Sequence, residues 1–580
     1  MKPNFTFALI ARNEAKTIPH LMGSLKEFTA LGGEVLILDT GSTDDTAHVA
    51  RDLGAIVHEV GGKFLTTIDK EMASNINEFF LVEGETDVLN EGDTLFDFAA
   101  ARNYIASLSK TDWVWMPDCD EVFSTLNLQA IDDAIGDIMI NRLEYEFIFS
   151  HDENGQPAIR FMHSKMYRKS QLEWAGVVHE VLKETSDSKH LGARYLSQDQ
   201  VLLEHYQNVE TNRSGYLRGL ALDCYLHPDS DRNSHYFARE LLWAGRPKSA
   251  INEFERHIAM GKWQTEASQS MIYIGDAKKQ IGDNPVENYQ KAYNMESGRR
   301  EPLIRLAEWY MEQKDFQKVV AYVEMAMTIP RSNFYADYQE HYTYKPHEML
   351  YLAYWYLGDN EKSKEHYDIA ASYRPHHPAI LTDRQFYYPL PKVTFIIPTL
   401  GRAEGLKRCL RSIDDLIYPA DLKEALVIEG DEKTVPQKVV EGLEHATGDY
   451  IVYAANDIEF TPTALMIALL EDADLVSFNT GAVLDDEGNI CEHFMIKKDF
   501  INKIGGEIFD TQFFHVGVDN LLWAKAKKFG KAVYCKDAIV YHYHFSRGGT
   551  FDGIYEKGWS ASKVNFDRAL LEKKLADLNA

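Results

Sequence analysis

Residues 113–123 have the sequence WVWMPDCDEVF, in which an apolar run leads directly into three carboxylates. The apolar residues predict a buried strand, and Pro117 ends it. Asp118, Asp120 and Glu121 then cluster where the strand ends, which is the edge at which parallel α/β sheets bind their ligands. Like charges at this spacing repel one another, so a buried cluster needs a cation or an array of hydrogen-bond donors. The pattern alone leaves two interpretations open, a plain solvated acidic turn and a cation site.

The residues before this stretch alternate between strand and helix patterns. Three short apolar runs predict strands, and two segments between them predict helices (5–11, 34–39 and 55–60; 17–31 and 43–54). This β-α-β-α-β order predicts a parallel sheet. Asp39 closes the second strand, where it is either the cap of the following turn or a polar contact at the ligand edge of the sheet.

From about residue 216 to residue 375 the pattern changes to pairs of helices. Three segments share one register, which consists of a turn residue and characteristic positions five and nine residues later (Gly245, Ala250 and Phe254; Lys314, Val319 and Val323; Gly358, Ser363 and Tyr367). A fourth, shortened copy occupies residues 281–296. Small residues where helices cross, with aromatic residues between them, resemble tetratricopeptide repeats. The resemblance implies peptide binding or dimerisation, and a simple spacer is the alternative.

The stretch PLPKV at 389–393 ends the repeats, and the residues after it return to a strand-turn-helix pattern. We therefore predict three domains, at residues 1–210, 211–385 and 386–580. The first and third are predicted to be α/β domains with Rossmann-like sheets, and the second is predicted to be an all-α repeat domain.

Composition limits the class of protein. The 580 residues carry a formal net charge of −28, which favours solubility and disfavours wrapping a phosphate backbone. The five cysteines are scattered and lack C-x-x-C spacing, which argues against a disulfide framework or a zinc site and fits a reducing cytoplasm. No stretch has the length needed to span a bilayer. We expect a cytoplasmic, globular protein.

Six motifs of the first 205 residues resemble, in order and spacing, those of the family 2 glycosyltransferases, which have the GT-A fold. The motifs are IARNEA (10–15), LDTGSTDDT (38–46), FAAARN (98–103), DWVWMPDCDE (112–121), WAGVVHE (174–180) and LLEHY (202–206). A long insert between residue 60 and FAAARN departs from the family pattern. We expect this insert to form a lid or an acceptor loop.

The resemblance implies a role for each matched polar residue. Around the nucleoside it places Arg12, Glu14 and Asp39, and it places Arg102 on the diphosphate side. It assigns Mg²⁺ or Mn²⁺ to Asp118, Asp120 and His205, because such an ion neutralises the charge that grows on a leaving nucleoside diphosphate. A base must also remove the acceptor proton, and Glu180 is the first candidate with His179 as the second. A purely structural His179–Glu180 pair near a strand end is the alternative.

The last 190 residues resemble the same superfamily more loosely, through residues 395–402, 446–460, 515–530 and 540–549. The resemblance implies that Asp519 is a base, and that a nucleotide-sugar is bound by Asp457, His542, His544 and Arg547. Ala455 stands where the family usually has an acid, so this second site has fewer carboxylates for a metal ion. A decayed domain kept for packing is the alternative.

Together these resemblances imply an inverting, metal-dependent glycosyltransferase with two sites, using a nucleoside diphosphate sugar and most simply a UDP-sugar. The acceptor is expected to be a protein, a glycan or another macromolecule, and the repeats are expected to support a homodimer. Two alternatives stay open. One is the bacteriophage-type enzyme that glycosylates hydroxymethylated DNA bases, for which the lysines of 523–536 would supply phosphate contacts. The other is a repeat scaffold with inactive flanking domains.

Overall fold

The structure, a computed structural model, describes residues 2–151, 155–178, 180–206, 214–332, 334, 336–401, 403–430, 432–481, 491–544 and 560–579. The chain divides into two compact units, residues 1–366 and 367–580. The prediction of mixed α/β sheets together with many helices is confirmed. The division into three domains stays a prediction, and the helical segment lies largely within the first unit.

The first unit contains a large mixed sheet. In chain order, the strands of this unit are β1 (Phe5–Ala11), β2 (Glu34–Asp39), β3 (Ile56–Glu59), β4 (Leu65–Thr67), β5 (Thr94–Phe96), β6 (Trp113–Trp115), β7 (Glu121–Leu126), β8 (Ile140–His151), β9 (Pro157–Arg168), β10 (Leu172–Ala175), β11 (Val181–Glu184), β12 (Gly192–Leu196) and β13 (Val201–His205). The sheet has the order β3-β2-β1-β6-β9-β8-β13-β7, with β12 beside β8. Strands β3, β2, β1 and β6 run parallel, as the alternating pattern predicts, and β9 pairs antiparallel with β6.

Short helices cover this sheet and connect its strands: α1 (Ile18–Ser24), α2 (Lys26–Ala30), α3 (Thr46–Asp52), α4 (Lys70–Phe80), α5 (Phe98–Leu108) and α6 (Leu128–Ile135). The aromatic core between sheet and helices includes Trp115, which is fully buried and stacks on Phe7 with ring centroids 5.4 Å apart. Its indole N–H donates to the hydroxyl of Tyr145 at 2.9 Å. The residues that precede the acidic cluster are therefore fixed on both sides by packing and by a satisfied polar contact.

Pairs of helices follow the sheet: α7 (Ser214–Leu226), α8 (Asp231–Trp243), α9 (Pro247–Met260), α10 (Gln264–Gln280), α11 (Val286–Met295), α12 (Glu301–Glu312), α13 (Phe316–Met327), α14 (Tyr344–Leu357) and α15 (Asn360–Tyr373). The predicted register is confirmed, because Gly245, Lys314 and Gly358 each adopt a left-handed backbone conformation between two helices. All six predicted positions five and nine residues later are buried. The repeat pattern was thus visible in sequence because a tight turn and a buried crossing each demand a particular residue type.

The long insert forms β4, α4 and β5, and it packs against the start of the helical array. The ring of Phe80 meets that of Phe237 edge to face at 4.8 Å. Ser249 accepts the Val82 N–H at 2.9 Å and donates to Glu85 at 2.6 Å. The insert therefore joins the sheet and the helices of the first unit into one packed body.

The second unit is also α/β. Its strands are β14 (Val393–Pro398), β15 (Lys423–Ile428), β16 (Tyr450–Tyr453), β17 (Ile458–Phe460), β18 (Leu475–Asn479), β19 (Phe494–Lys497) and β20 (Ala532–His542). They form a sheet of order β15-β14-β16-β19-β18-β20-β17, in which β15, β14 and β16 run parallel. The helices are α16 (Pro378–Asp383), α17 (Ala403–Asp414), α18 (Val435–His445), α19 (Ala464–Leu470), α20 (Lys498–Lys503), α21 (Val518–Phe529) and α22 (Ala561–Asn579).

Across the described ranges, we find no helix that combines the length and the apolarity of a membrane-crossing segment.

Packing in the helical array generates a first prediction. A methyl group at Gly275 would collide with the ring of Tyr289, which cannot easily retreat because its hydroxyl donates to Asp276 at 2.7 Å. We expect Gly275→Ala to lower the free energy of unfolding by about 1–3 kcal/mol, the usual cost of overpacking. At Gly215 a methyl group meets nothing within 4 Å, so Gly215→Ala should change the free energy of unfolding by less than about 1 kcal/mol. Urea unfolding of both variants tests the contrast, and equal losses would contradict it.

Candidate active site

Three loops meet at the carboxyl edge of the parallel strands in the first unit. They follow β1, β2 and β6, and β1 lies between the other two in the sheet. The residues predicted around the ligand, Glu14, Asp39, Asp118 and Asp120, therefore lie at one edge. Burial raises the pKa of Glu14, and the negative charges of Asp120 and Asp118 nearby raise it further.

The first two loops are bonded to each other through Asn13, a residue that the sequence analysis did not select. Asn13 has a left-handed backbone, and its side-chain oxygen accepts the Thr43 N–H at 2.7 Å. Its own N–H donates to Ser42 at 3.0 Å, and the Glu14 N–H donates to Thr46 at 2.7 Å. These bonds fix the loop that carries Glu14 and Arg12, and the Arg12 side chain is exposed.

Asp39 acts as the cap of its turn. One carboxylate oxygen accepts the N–H groups of Gly41 at 2.8 Å and Ser42 at 2.7 Å, and the side chain is buried. The capping alternative is thus what the geometry of the turn supports. The predicted contact of Asp39 with a nucleoside stays a prediction.

The acidic cluster contains its own buried cations. Arg102 on α5 donates to Asp118 at 2.6 Å and to Glu180 at 2.5 Å. Lys165 on β9 donates to the other oxygen of Asp118 at 2.6 Å and to Glu121 at 2.5 Å. The side chains of Arg102 and Lys165 are 6% and 7% exposed, whereas that of Asp118 is 42% exposed. Asp118, Glu121 and Glu180 therefore each bond a buried cation.

Electrostatics follow from this arrangement. Burial alone would lower the pKa of Arg102, but Asp118 and Glu180 raise it well above its ordinary value. Burial opposes ionisation of Asp118, yet Lys165 and Arg102 hold its pKa far below the usual range. Burial raises the pKa of Glu121, and Asp118 adds to this increase while Lys165 opposes it. The cluster thus holds Asp118 firmly ionised and makes Glu121 the carboxylate that takes up a proton most readily.

Motifs far apart in the chain are joined here. Asn103 on α5 exchanges two hydrogen bonds with the backbone of Trp174, at 2.8 and 2.9 Å. The Phe98 N–H donates to the Val177 carbonyl at 3.1 Å, and Arg102 lies 5.1 Å from the Trp174 ring centre. FAAARN and WAGVVHE therefore form one unit that presents Glu180 beside Asp118. His179 lies outside the described residues.

Asp120 and His205 form a second pair next to this cluster. Nε2 of His205 lies 3.1 Å from a carboxylate oxygen of Asp120, and Nδ1 lies 3.0 Å from the carbonyl of Phe149. If Nδ1 donates to that carbonyl, Nε2 of the neutral ring directs a lone pair at the carboxylate. Such a pair requires a proton or a metal ion between its members. Burial lowers the pKa of His205, but the bond to Asp120 outweighs it and the net shift is upward.

These contacts decide how the site fits a divalent ion. Asp120 and His205 have the right chemistry and spacing for two ligands of such an ion, which leaves the rest of its shell to a bound ligand or water. Asp118 fits poorly as a direct ligand because both of its oxygens are bonded to buried cations. Within the described ranges, no three or more His, Cys, Asp or Glu side chains are grouped so as to hold a metal ion by themselves. A substrate-completed site is the arrangement that the residues suit.

The second unit brings together another set of predicted residues. Nε2 of His542 lies 3.5 Å from Asp457, and Nδ1 lies 3.5 Å from Glu492. The ring of His544 lies 5.3 Å from that of His542. Arg547 lies outside the described residues. Burial raises the pKa of Tyr453, and Asp519, Asp457 and Glu492 raise it further, so the three carboxylates lie in the neighbourhood of one tyrosine.

Asp519 lies in the first turn of helix α21, and burial raises its pKa to about 6. Asn456, between Ala455 and Asp457, lies in the turn after β16, and its side-chain amide donates to Thr399 at 2.7 Å, just beyond the end of β14. The turn after β16 is thus fixed by a neutral hydrogen bond.

Sequence reasoning missed Lys165 and Glu492, and it did not give Glu121 a role in the site. Lys165 carries a faint signal, since it is a lone lysine among apolar residues in a strand that pairs with β6. Glu492 carries none, because it lies in the short segment before β19 and meets His542 only through the sheet.

Comparisons with known proteins give low similarities. No protein-family model matches the chain. Protein RfbJ of Shigella flexneri is 29% identical over 121 residues, which are 20% of this chain and 88% of RfbJ. Among solved structures, MamA aligns with 30% of this chain and 87% of its own at 13% identity, with a TM-score of 0.23. The mannosyltransferase PcManGT from Pyrobaculum calidifontis, solved with GDP-Man and Mn²⁺, aligns with 30% of this chain and 66% of its own at 19% identity and a TM-score of 0.22. Scores of this size do not establish a shared fold.

The buried cations generate a prediction of stability. Lys165→Met should lower the free energy of unfolding by about 3–5 kcal/mol, because it leaves the buried carboxylate of Glu121 without its cation and removes one partner of Asp118. Lys110→Met is a matched control, since Lys110 pairs with Glu34 at 3.2 Å while its side chain is 84% exposed. That change should cost no more than about 1 kcal/mol. Chemical denaturation compares the two, and a small loss in Lys165→Met would show that the network is not stabilised by its lysine.

Proposed function

We propose that the chain is a glycosyltransferase that uses a nucleoside diphosphate sugar at the ligand edge of the first sheet. The proposal rests on the contacts of Arg102. This buried cation donates to Asp118, at the carboxyl edge of the parallel strands, and to Glu180. Its Nη1 is buried and has no hydrogen-bond partner in the described part of the chain. A buried donor in this state suits an anionic ligand such as a diphosphate.

In this proposal the leaving group is stabilised by charge. Arg102 and Lys165 provide fixed positive charge beside the diphosphate, and they need no reorganisation during the reaction because packing already holds them. Asp120 and His205 would hold Mg²⁺ or Mn²⁺, which when bound neutralises negative charge on the diphosphate oxygens. Asp118 then orients the two cations and is not itself a ligand of the ion.

Glu180 is the proposed base. An acceptor oxygen attacks the anomeric carbon on the face opposite the diphosphate and forms the new C–O bond. The bond from that carbon to the diphosphate oxygen breaks, and the electron pair leaves with the diphosphate. The acceptor proton passes to Glu180, whose orientation is fixed by Arg102. A single displacement of this kind inverts the anomeric configuration.

The donor of this proposal is a UDP-sugar, and the acceptor is a protein or a glycan. The second unit is proposed as a second transferase site, supported by the grouping of Asp457, Glu492 and His542 with Asp519. Its base is Asp519. With fewer acids at its turn, this site depends more on His542 to balance diphosphate charge. Release of UDP from UDP-sugars by the purified protein, together with mass spectrometry of the product, is the experiment that tests both sites.

Substitutions in the acidic turn separate the proposed metal ligand from the residue that orients cations. Asp120→Asn should abolish UDP release and Mn²⁺ binding in the first unit while leaving thermal unfolding almost unchanged. Asp118→Asn should lower the unfolding temperature, since the buried cations Arg102 and Lys165 lose a charged partner, but it should weaken Mn²⁺ binding by no more than about 100-fold. Electron paramagnetic resonance with Mn²⁺ and UDP measures binding. Full activity of Asp120→Asn in EDTA would contradict the proposed metal role.

The second site should show its own pH dependence. Because the pKa of Asp519 is about 6, the rate of the second transfer should fall about tenfold per pH unit below pH 6, as its base becomes protonated. The raised pKa means that the fold favours the protonated carboxyl, and this contribution to stability is lost as pH rises through about 6. Asp519→Asn should therefore abolish the second transfer and raise thermal stability at pH 7 but not at pH 4. A second transfer that is flat from pH 7 to pH 5 would refute the assignment.

A further inference from the structure

A helix outside the α/β sheet holds the segment that leads to Glu180. Asp223 on α7 is buried, and one of its oxygens accepts the N–H groups of Val177 at 2.6 Å and Val178 at 3.3 Å. Its other oxygen is buried without a hydrogen-bond partner among the described residues. The carboxylate therefore grips the backbone two and three residues before the proposed base.

Close packing supports this contact from the same helix. A methyl group at Gly219, one turn before Asp223, would lie 2.6 Å from a side-chain carbon of Val178. The segment itself turns at Gly176, whose backbone is left-handed. Helix α7 can therefore approach the segment only because Gly219 has no side chain.

The second unit contains the same arrangement in a different sequence. Asp567 on α22 is fully buried, and its two oxygens accept the N–H groups of Phe514 at 2.9 Å, His515 at 2.8 Å and Val516 at 2.8 Å. The next residue, Gly517, has a left-handed backbone, and Asp519 follows two residues later. A methyl group at Gly517 would lie 2.9 Å from a side-chain carbon of Leu571, which is also on α22.

From these contacts we infer that Asp223 and Asp567 are positioning residues, each fixing the backbone segment that places the proposed base of its unit. The inference rests on the proposed function, because it takes Glu180 and Asp519 as bases. In each unit a buried carboxylate accepts successive N–H groups, the proposed base follows within three residues, and a glycine permits the close approach. A carboxylate that binds backbone groups leaves the side chains of the segment available to the substrate.

For the first unit the inference gives α7, the first helix of the array, a part in the chemistry. Glu180 is held from one side by Arg102 and from the other by the segment that Asp223 anchors. Loss of the anchor frees the backbone while the donor contacts on the other loops remain. The expected effect is therefore on kcat and not on the KM for the donor, since a displacement of about 1 Å at a reacting group can cost about 100-fold in rate.

The test uses the full chain and UDP-sugar transfer. Asp223→Ala should lower kcat of the first transfer about 100-fold with the donor KM changed less than threefold, and Asp223→Asn, which keeps an acceptor oxygen, should recover most of the rate. Asp229→Ala, an exposed aspartate three residues beyond α7, is the matched control and should retain the wild-type rate. If Asp223→Ala does not fold, Gly219→Ala moves the same segment by steric contact and should give the same loss of kcat.

The same test applied to the second unit gives the reciprocal comparison. Asp567→Ala should lower only the transfer that Asp519→Asn abolishes, and Asp223→Ala only the transfer that Asp120→Asn abolishes, with Asp577→Ala as the exposed control on α22. A general loss of stability would reduce both transfers together, so that result overturns the inference. The inference is also overturned if Asp223→Ala and Asp567→Ala both keep the wild-type kcat, calculated per UDP-binding site. Absence of any transfer by the wild-type chain overturns the proposed function, and this inference with it.

Discussion

The first unit is organised around a buried arginine that bonds two carboxylates. Arg102 joins Asp118 at the end of β6 to Glu180 at the end of WAGVVHE, and Lys165 completes the cluster from β9. Two cations face the three carboxylates of Asp118, Glu121 and Glu180, which leaves one negative charge in excess. The raised pKa of Glu121 is the response to that excess and to its burial. Removing either cation leaves a buried negative charge without compensation, so motifs that lie up to 78 residues apart depend on one another.

Local sequence signals predicted much of the fold. Apolar runs gave the parallel strands, and turn residues gave the register of the helical pairs, because a left-handed turn at Gly245 or Gly358 and a buried crossing at Ala250 are local demands. The clustering of Glu14, Asp118 and Asp120 also followed from strand order, since the carboxyl ends of parallel strands meet. Local signals do not identify which residues from distant parts of the sequence contact each other. Lys165 reaches Asp118 from 47 residues away, and nothing near either residue specifies the other.

The acidic turn shows that the spacing of charges in the sequence does not identify the groups that neutralise them. Like charges in sequence predicted that a cation is needed, and the geometry supplies two from within the chain for Asp118 and Glu121. The motif cannot distinguish an arginine or a lysine from a metal ion, because all three satisfy the same electrostatic demand. Asp120 is placed differently, with a carboxylate oxygen 3.1 Å from Nε2 of His205. The two aspartates of one motif therefore belong to different electrostatic environments two residues apart.

The second unit meets a similar demand with fewer charges. Asn456 fixes its turn by a neutral hydrogen bond to Thr399, and His542 lies between Asp457 and Glu492. Both units nevertheless draw a buried carboxylate from a helix outside the sheet to hold the backbone before the proposed base. Asp223 and Asp567 are unrelated in their local sequence, so the likeness is one of geometry. A flexible loop must lose conformational entropy before it can present a base, and an anchored backbone has already lost it. The rigid helix supplies that order at a distance from the substrate, where it does not compete with the ligand for space.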